Sequence, residues 1–543
     1  MRILLLSLLS LACLSTYSQE STFSRQDTLR GSITPERAWW DVTYYHLEQN
    51  ISIEDSSLTG VNTIQYKVLD QAEVMQIDLQ PPMKIDKVVQ GKKELEVTHE
   101  GNAHFIHLVQ KQKKGDVNEV KVYYSGKPQV SKNPPWEGGF SWRVDSLGSP
   151  FIATSCQGDG ASLWWPCKDQ MVDEPDSVLM SITIPNHLMD VSNGRLRSVA
   201  ENKDGTKTWN WFVSSPINHY GINVNIGDYV HFSDTYDGEK GPLTLDYYVL
   251  SYNLEKAKKH FQQVKPMMEA FEHWFGPYPF YEDGYKLVEV PYWGMEHQSS
   301  VTYGNQYKYG AFGREFYPSG WGLKFDYIII HESGHEWFAN NITNTDNADM
   351  WIHESFTTYS ENLFVEYHHG KEAGSEYLRA TRRGIGNTGT VIGTYGVNKR
   401  GSDIYNKGAN ILHTLRQVVD NDSTWRNILR GLNETFYHQT VSSAEVEKFI
   451  DERVEVDLEP FFDQYLRDPR VPILEYSFND DQMMYRWTNC NQGFTMPLKL
   501  ILNESEEGWI VPQTSWSIVR IPEGASVEVD KDFYVVPFDL TLR

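Results

Sequence analysis

At 543 residues the chain is longer than one hydrophobic core can serve, so two to four domains are expected. Hydrophobic residues at 40%, charged residues at 22% and aromatic residues at 13% exclude a disordered or fibrous chain. The 73 acidic against 49 basic side chains leave a net charge of −24, which repels phosphate backbones and anionic lipid and excludes nucleic acid as an expected partner.

In chain order, residues 1–18 read as a signal peptide. Arg2 supplies the positive start, Ile3 to Leu14 are mostly apolar, and Thr16 and Ser18 suit cleavage before Gln19. Export to the periplasm or the medium is the expectation, with a lipid anchor on Cys13 as the rival. No later stretch reaches the ~20 apolar residues that span a bilayer. Cleavage leaves Cys156, Cys167 and Cys490, an odd number, so at most one disulfide forms. Two small buried hydrophobes is the ordinary reading of Cys156 and Cys167.

From about Trp40 to Leu250 the pattern has period two: Tyr45, Leu47, Ile51 and Ile53, then Ile64, Tyr66 and Val68, then Met180, Ile182 and Ile184. Residues 19–251 are therefore expected to form an antiparallel β domain. The period changes after Asn253, a candidate helix N-cap, where Leu254, Ala257, Phe261, Val264, Met268 and Phe271 recur at helical steps until Gly276. Pro266 should kink that run or split it. Helical patterning is read again over 325–369 and 405–420, giving a mostly helical domain over 252–468. Asp468-Pro469 signals a turn, and 469–543 is expected to be a small β-sandwich-like domain. The fold class is α+β multidomain.

His331, Glu332 and His335 form H-E-x-x-H, and the apolar residues around them predict a buried helix. Positions i and i+4 share a face, so both imidazoles reach one metal while Glu332 addresses water beside it. After eighteen further residues comes Glu354, far enough along for a second helix to return and supply a third ligand; two histidines and a glutamate make a catalytic zinc set. Glu361 lies two turns further on the same face, where it can accept the outer N–H of a zinc-bound imidazole.

With these elements the chain resembles the gluzincin aminopeptidases related to aminopeptidase N and leukotriene hydrolase. That family pairs H-E-x-x-H and a distant W-x-x-E glutamate with an upstream G-x-M-E-N exopeptidase motif, which here reads Trp293-Gly294-Met295-Glu296-His297. The resemblance implies a thermolysin-like catalytic domain and one Zn2+ per chain. It implies that Glu296 binds the substrate's α-ammonium, with Gly294 and Met295 beside it, and that His297 alters whatever the family asparagine contributes. Gln157, in Ser155-Cys156-Gln157, is the implied second contact to the amine. Tyr405, in a Y-x-K-G element, is the implied oxyanion donor, and Glu332 the general base. Trp293, Tyr292 and Met295 are expected around the side-chain pocket.

The reading is a zinc aminopeptidase acting on peptides with a free N-terminus. A related zinc hydrolase, an endopeptidase and a non-catalytic scaffold stand as alternatives.

Overall fold

A computed structural model of the chain describes residues 23–541 except Glu523. The expected signal peptide and Cys13 lie outside the described residues. Two short helices, α1 (Arg25–Gly31) and α2 (Pro35–Ala38), lead into the long strand Trp40–Ser52. Its alternating side chains Tyr45, Leu47 and Ile51 are buried, as period two requires. That strand sits inside a ten-stranded sheet ordered Arg195–Glu201, Thr206–Val213, Ser177–Pro185, Trp40–Ser52, Ser57–Val68, Val117–Gly126, Lys84–Gln90, Lys93–Glu100, Ala103–His107, Val74–Asp78. Neighbours run antiparallel save one pair: Trp40–Ser52 lies parallel to Ser177–Pro185, with Leu47 opposite Met180. A four-stranded sheet accompanies it, and Trp40, Tyr45, Ile64, Met180 and Trp211 share the core. Cys156 and Cys167 are free thiols buried in that core.

The next sheet crosses the expected boundary at 252. The hairpin Tyr229–Gly238 and Gly241–Leu250 extends forward by parallel pairing of Leu245–Tyr248 with Tyr285–Val288. Val301–Tyr303 follows, and Gly294–Met295 forms the sheet's edge. Asn253 does not cap the helix after it; its amide donates to Glu289 instead. The helical run divides into α3 (Leu254–His260) and α4 (Val264–Phe275) around a 3-10 turn at Phe261–Gln263. Pro266 falls at the third position of α4, where an N–H has no helical partner to lose, and Gly276 ends it at φ 93°.

The expected helical stretch over 325–369 is interrupted. Helix α5 (Tyr327–Gly334) ends at His335, Ile342–Asn344 pairs as a strand with Gln439–Val441, and α6 (Trp351–His369) then begins. Helices α7 (Lys371–Thr381), α8 (Asn406–Val419), α9 (Asp422–Thr435), α10 (Ser443–Asp451) and α11 (Glu459–Arg467) complete this part. Two small sheets follow, one of four strands and one of three. Leu474, Trp487, Phe494 and Phe533 continue the same apolar cluster as the helices, so these sheets share the helical core. No helix among the described residues is long and apolar enough to cross a membrane.

Helix α6 lies between α5 and α8, and a glycine stands at each contact. A Cβ on Gly334 would sit 2.6 Å from the Ser360 hydroxyl, and one on Gly408 1.8 Å from that of Ser355. Gly408→Ala is expected to push α8 off α6 and lower stability by about 1–3 kcal/mol, as overpacked cores do. Thermal unfolding checks this, and an unchanged midpoint would show that the contact gives way freely.

Candidate metal centre and active site

The start of α5 is pinned by a buried aspartate. Asp326 caps the helix by accepting from the Ile328 and Ile329 N–H groups, and it also accepts from the Tyr303 hydroxyl at 2.8 Å and the Asn305 amide at 2.9 Å. The cap therefore ties α5 to the sheet that ends in Gly294–Met295. Gly294 is needed there, because a Cβ would lie 2.7 Å from Ile328 and 3.1 Å from Glu332.

Within that frame His331, His335 and Glu354 bring their ligand atoms within 4.8 Å of one another, all buried. Glu354 Oε2 lies 3.4 Å from His335 Nε2 and 3.8 Å from His331 Nε2. Tetrahedral coordination at ~2.1 Å places donors roughly 3.4 Å apart, so the spacing suits an ion of zinc's size. Glu354 Oε2 is buried without a hydrogen-bond partner, as an atom reserved for a metal would be. Burial alone would raise its carboxyl, yet the two imidazoles hold it well below the usual range, as a carboxylate.

The outer ring nitrogens are also engaged. His331 Nδ1 meets Glu361 Oε1 at 2.7 Å, and Tyr377 donates to the other Glu361 oxygen. His335 Nδ1 lies 3.0 Å from the Phe338 carbonyl and 3.0 Å from the Thr357 hydroxyl. Each Nε2 is thereby turned toward the shared centre.

Glu332 and Glu296 also gather at His335, with one ligand atom from each of the three within 4.8 Å of the others. His335 has only Nε2 left to give, so one ion, not two, is served. Burial lifts the Glu332 carboxyl to about 7, with His331 opposing and Glu296 adding to the rise. Burial also raises Glu296. Two such acids in a dry cavity favour a cationic guest.

Gln157 bridges the two halves. Its amide nitrogen donates to Glu296 Oε1 at 2.7 Å and to Glu354 Oε1 at 2.9 Å, which leaves Gln157 Oε1 as an acceptor. Tyr405 donates to Glu354 Oε1 at 3.0 Å from the residue just ahead of α8. Its neighbour Lys407 reaches the Pro469 carbonyl. The Gly158 carbonyl next to Gln157 accepts from Arg30 at the end of α1 and from Asn398.

Sequence reasoning missed several participants. Tyr220 donates to Glu296 Oε1 at 3.1 Å, and Asn340 donates to the Glu296 carbonyl at 2.9 Å. Neither sits in a recognisable motif. Trp136 lines the cavity from a loop of the β domain. Of the expected pocket residues, Trp293 and Met295 line it and Tyr292 does not, its hydroxyl being held by the Thr154 carbonyl. His297 is buried away from the lining, 3.4 Å from the Thr302 hydroxyl, and burial lowers its ring to about 3, so it is neutral. The cavity includes Gln157, Gly294, Met295, Glu296, Glu332 and Tyr405 along its wall.

Residues 259–465 match the Peptidase family M1 domain. Over that stretch the chain resembles the M1 zinc peptidases, in which the sequence motifs were expected to place it. Leucine aminopeptidase 2 of Vanderwaltozyma polyspora is 28% identical over 42% of this chain and 32% of its own length. Probable aminopeptidase 1 of Sulfurisphaera tokodaii is 22% identical over 78% of this chain and 55% of its own. The chain thus spans about half the length of such relatives or less. The M1 zinc metallopeptidase of Deinococcus radiodurans shares the fold, with a TM-score of 0.66 at 18% identity over 82% of this chain and 98% of that one. A mutant of the Deinococcus protein has been solved bound to a Tyr-Ser-Ala substrate. The donor set and its orphaned carboxylate oxygen fit the family's zinc.

Glu361→Gln is expected to weaken zinc affinity about 10–100-fold by loosening the His331 ring, read by competition with a chelator. Unchanged affinity would exclude the orienting role.

Proposed function

We propose that the chain is a zinc aminopeptidase that hydrolyses the first peptide bond of peptides with a free N-terminus. The carrying observation is the Gln157 bridge, which fixes Glu296 beside the metal ligand Glu354. Glu296 lies within 4.8 Å of the ligating atom of His335, while consecutive Cα atoms are about 3.8 Å apart. An ammonium on Glu296 therefore leaves room for one residue before the carbonyl meets the metal. That constraint favours an exopeptidase over an endopeptidase.

In this reading His331, His335 and Glu354 hold Zn2+. When bound, zinc supplies Lewis-acid polarisation and makes nearby water acidic enough to ionise near neutral pH. Glu332 takes the proton of the attacking water and later gives it to the leaving amine. The Tyr405 hydroxyl turns from Glu354 to the carbonyl oxygen as negative charge develops there; losing such a donor costs about 10²–10³ in rate. Glu296 and Gln157 Oε1 accept the α-ammonium, with Tyr220 steadying Glu296. The edge strand Gly294–Met295 offers its backbone to an extended peptide.

The domain limits proposed are 19–251, 252–468 and 469–543, with the hairpin Tyr229–Leu250 serving the catalytic sheet. Residues 1–18 are proposed as a cleaved signal peptide, supported by Arg2 and the apolar run that follows, and location in the periplasm or medium follows from it. Mass spectrometry of the exported protein should find Gln19 first.

Glu332→Gln is expected to keep stoichiometric zinc and lose turnover, measured by metal analysis beside aminoacyl-fluorophore release. Acetylating the substrate's amine should abolish cleavage by the wild-type enzyme. Intact cleavage of blocked peptides would favour the endopeptidase, and absence of any turnover with zinc bound would favour the scaffold.

A further inference from the structure

The ammonium and the scissile carbonyl, as read above, use the acidic part of the cavity, which leaves its remaining wall to the rest of a bound peptide. That wall is aromatic and comes from both sides of the domain junction. Trp136 stands on the β-domain loop after Pro135, and its ring lies 5.9 Å from that of Trp293. Trp293 stacks on Tyr327 at 5.4 Å, and Tyr327 stacks on the metal ligand His331 at 5.2 Å. Met295 adds a deformable apolar contact next to Glu296.

Trp136 is the exception in this stack, being 65% exposed. A single exposed apolar side chain is ordinary on a surface. This one borders the same cavity as Glu296 and Glu332, and a large ring left with an open face there has apolar area to bury only when a guest arrives. Charge narrows the guest further. Among the described lining residues the carboxylates are Glu296, Glu332 and Glu354, and each is engaged by the amine, the water or the metal. None is left to neutralise a lysine or arginine side chain, whose burial unpaired is costly.

We propose that Trp136, with Trp293 and Met295, selects substrates whose first residue is large and apolar or aromatic, and that Trp136 is a specificity-determining residue. The proposal rests on the aminopeptidase reading and adds the substrate class. The bound side chain covers the open Trp136 ring, so the loop of the β domain completes the pocket.

The test compares kcat/KM for free-amine substrates bearing Phe, Leu, Ala or Lys first, with wild-type enzyme, Trp136→Ala and Trp136→Phe. The wild type is expected to favour Phe and Leu over Ala and Lys. Trp136→Ala should lower the Phe-to-Ala ratio on the order of tenfold, chiefly through KM, and Trp136→Phe should recover most of it. Because the ring is exposed, thermal unfolding of both variants should match wild type. A wild-type preference for Ala or Lys, or an unchanged ratio in Trp136→Ala, would overturn the assignment. Failure of the zinc-loaded wild type to cleave any of the four would instead remove the aminopeptidase reading, and the proposal with it.

Discussion

Everything at the centre depends on how closely α5 and α6 approach. Two imidazoles and a carboxylate from separate helices meet in a dry core only if the backbones nearly touch, and Gly334 against Ser360 permits that. Gly408 repeats the device on the far side of α6, where it seats α8 and so Tyr405. The Asp326 cap sets the rotation and height of α5 relative to the sheet. Bringing ionisable groups together away from water is costly unless something pairs them. The hydrogen bonds to both outer ring nitrogens, the amide bridge and the metal supply that pairing.

That the candidate ligands would meet was largely legible in the chain because their spacing is local. His331 and His335 share a helix face by arithmetic, and Glu361 follows Glu354 by two turns in the same way. The period-two run through Tyr45, Leu47 and Ile51 likewise identified a strand because one face is buried and the other is not. Where sequence reasoning stopped, the interactions were long-range. Tyr220 reaches Glu296 across 76 positions and Gln157 reaches Glu354 across 197, and no pattern in one stretch of chain encodes such a meeting.

The misread local elements have physical causes too. Asn253 has the composition of a cap, but Glu289 from the neighbouring strand takes its amide. The stretch after His335 has apolar residues at helical steps, but Ile342–Asn344 gains a ladder partner in Gln439–Val441. In both, tertiary pairing outweighed a modest local preference. The hairpin before residue 252 alternates as any strand does, and alternation does not say which sheet it joins.

The Gly158 carbonyl, held by Arg30 from α1 and by Asn398 from a loop 240 positions away, gives the first described helix a task beyond packing. The Gln157 amide, proposed above to set the distance from amine to metal, hangs from a peptide whose other end is fastened by the first described helix. Trimming or tagging that unpacks this opening helix would blur the ruler and leave the ion in its cage. On the aminopeptidase reading, such a variant would keep its metal ligands and become less exact about where a peptide begins.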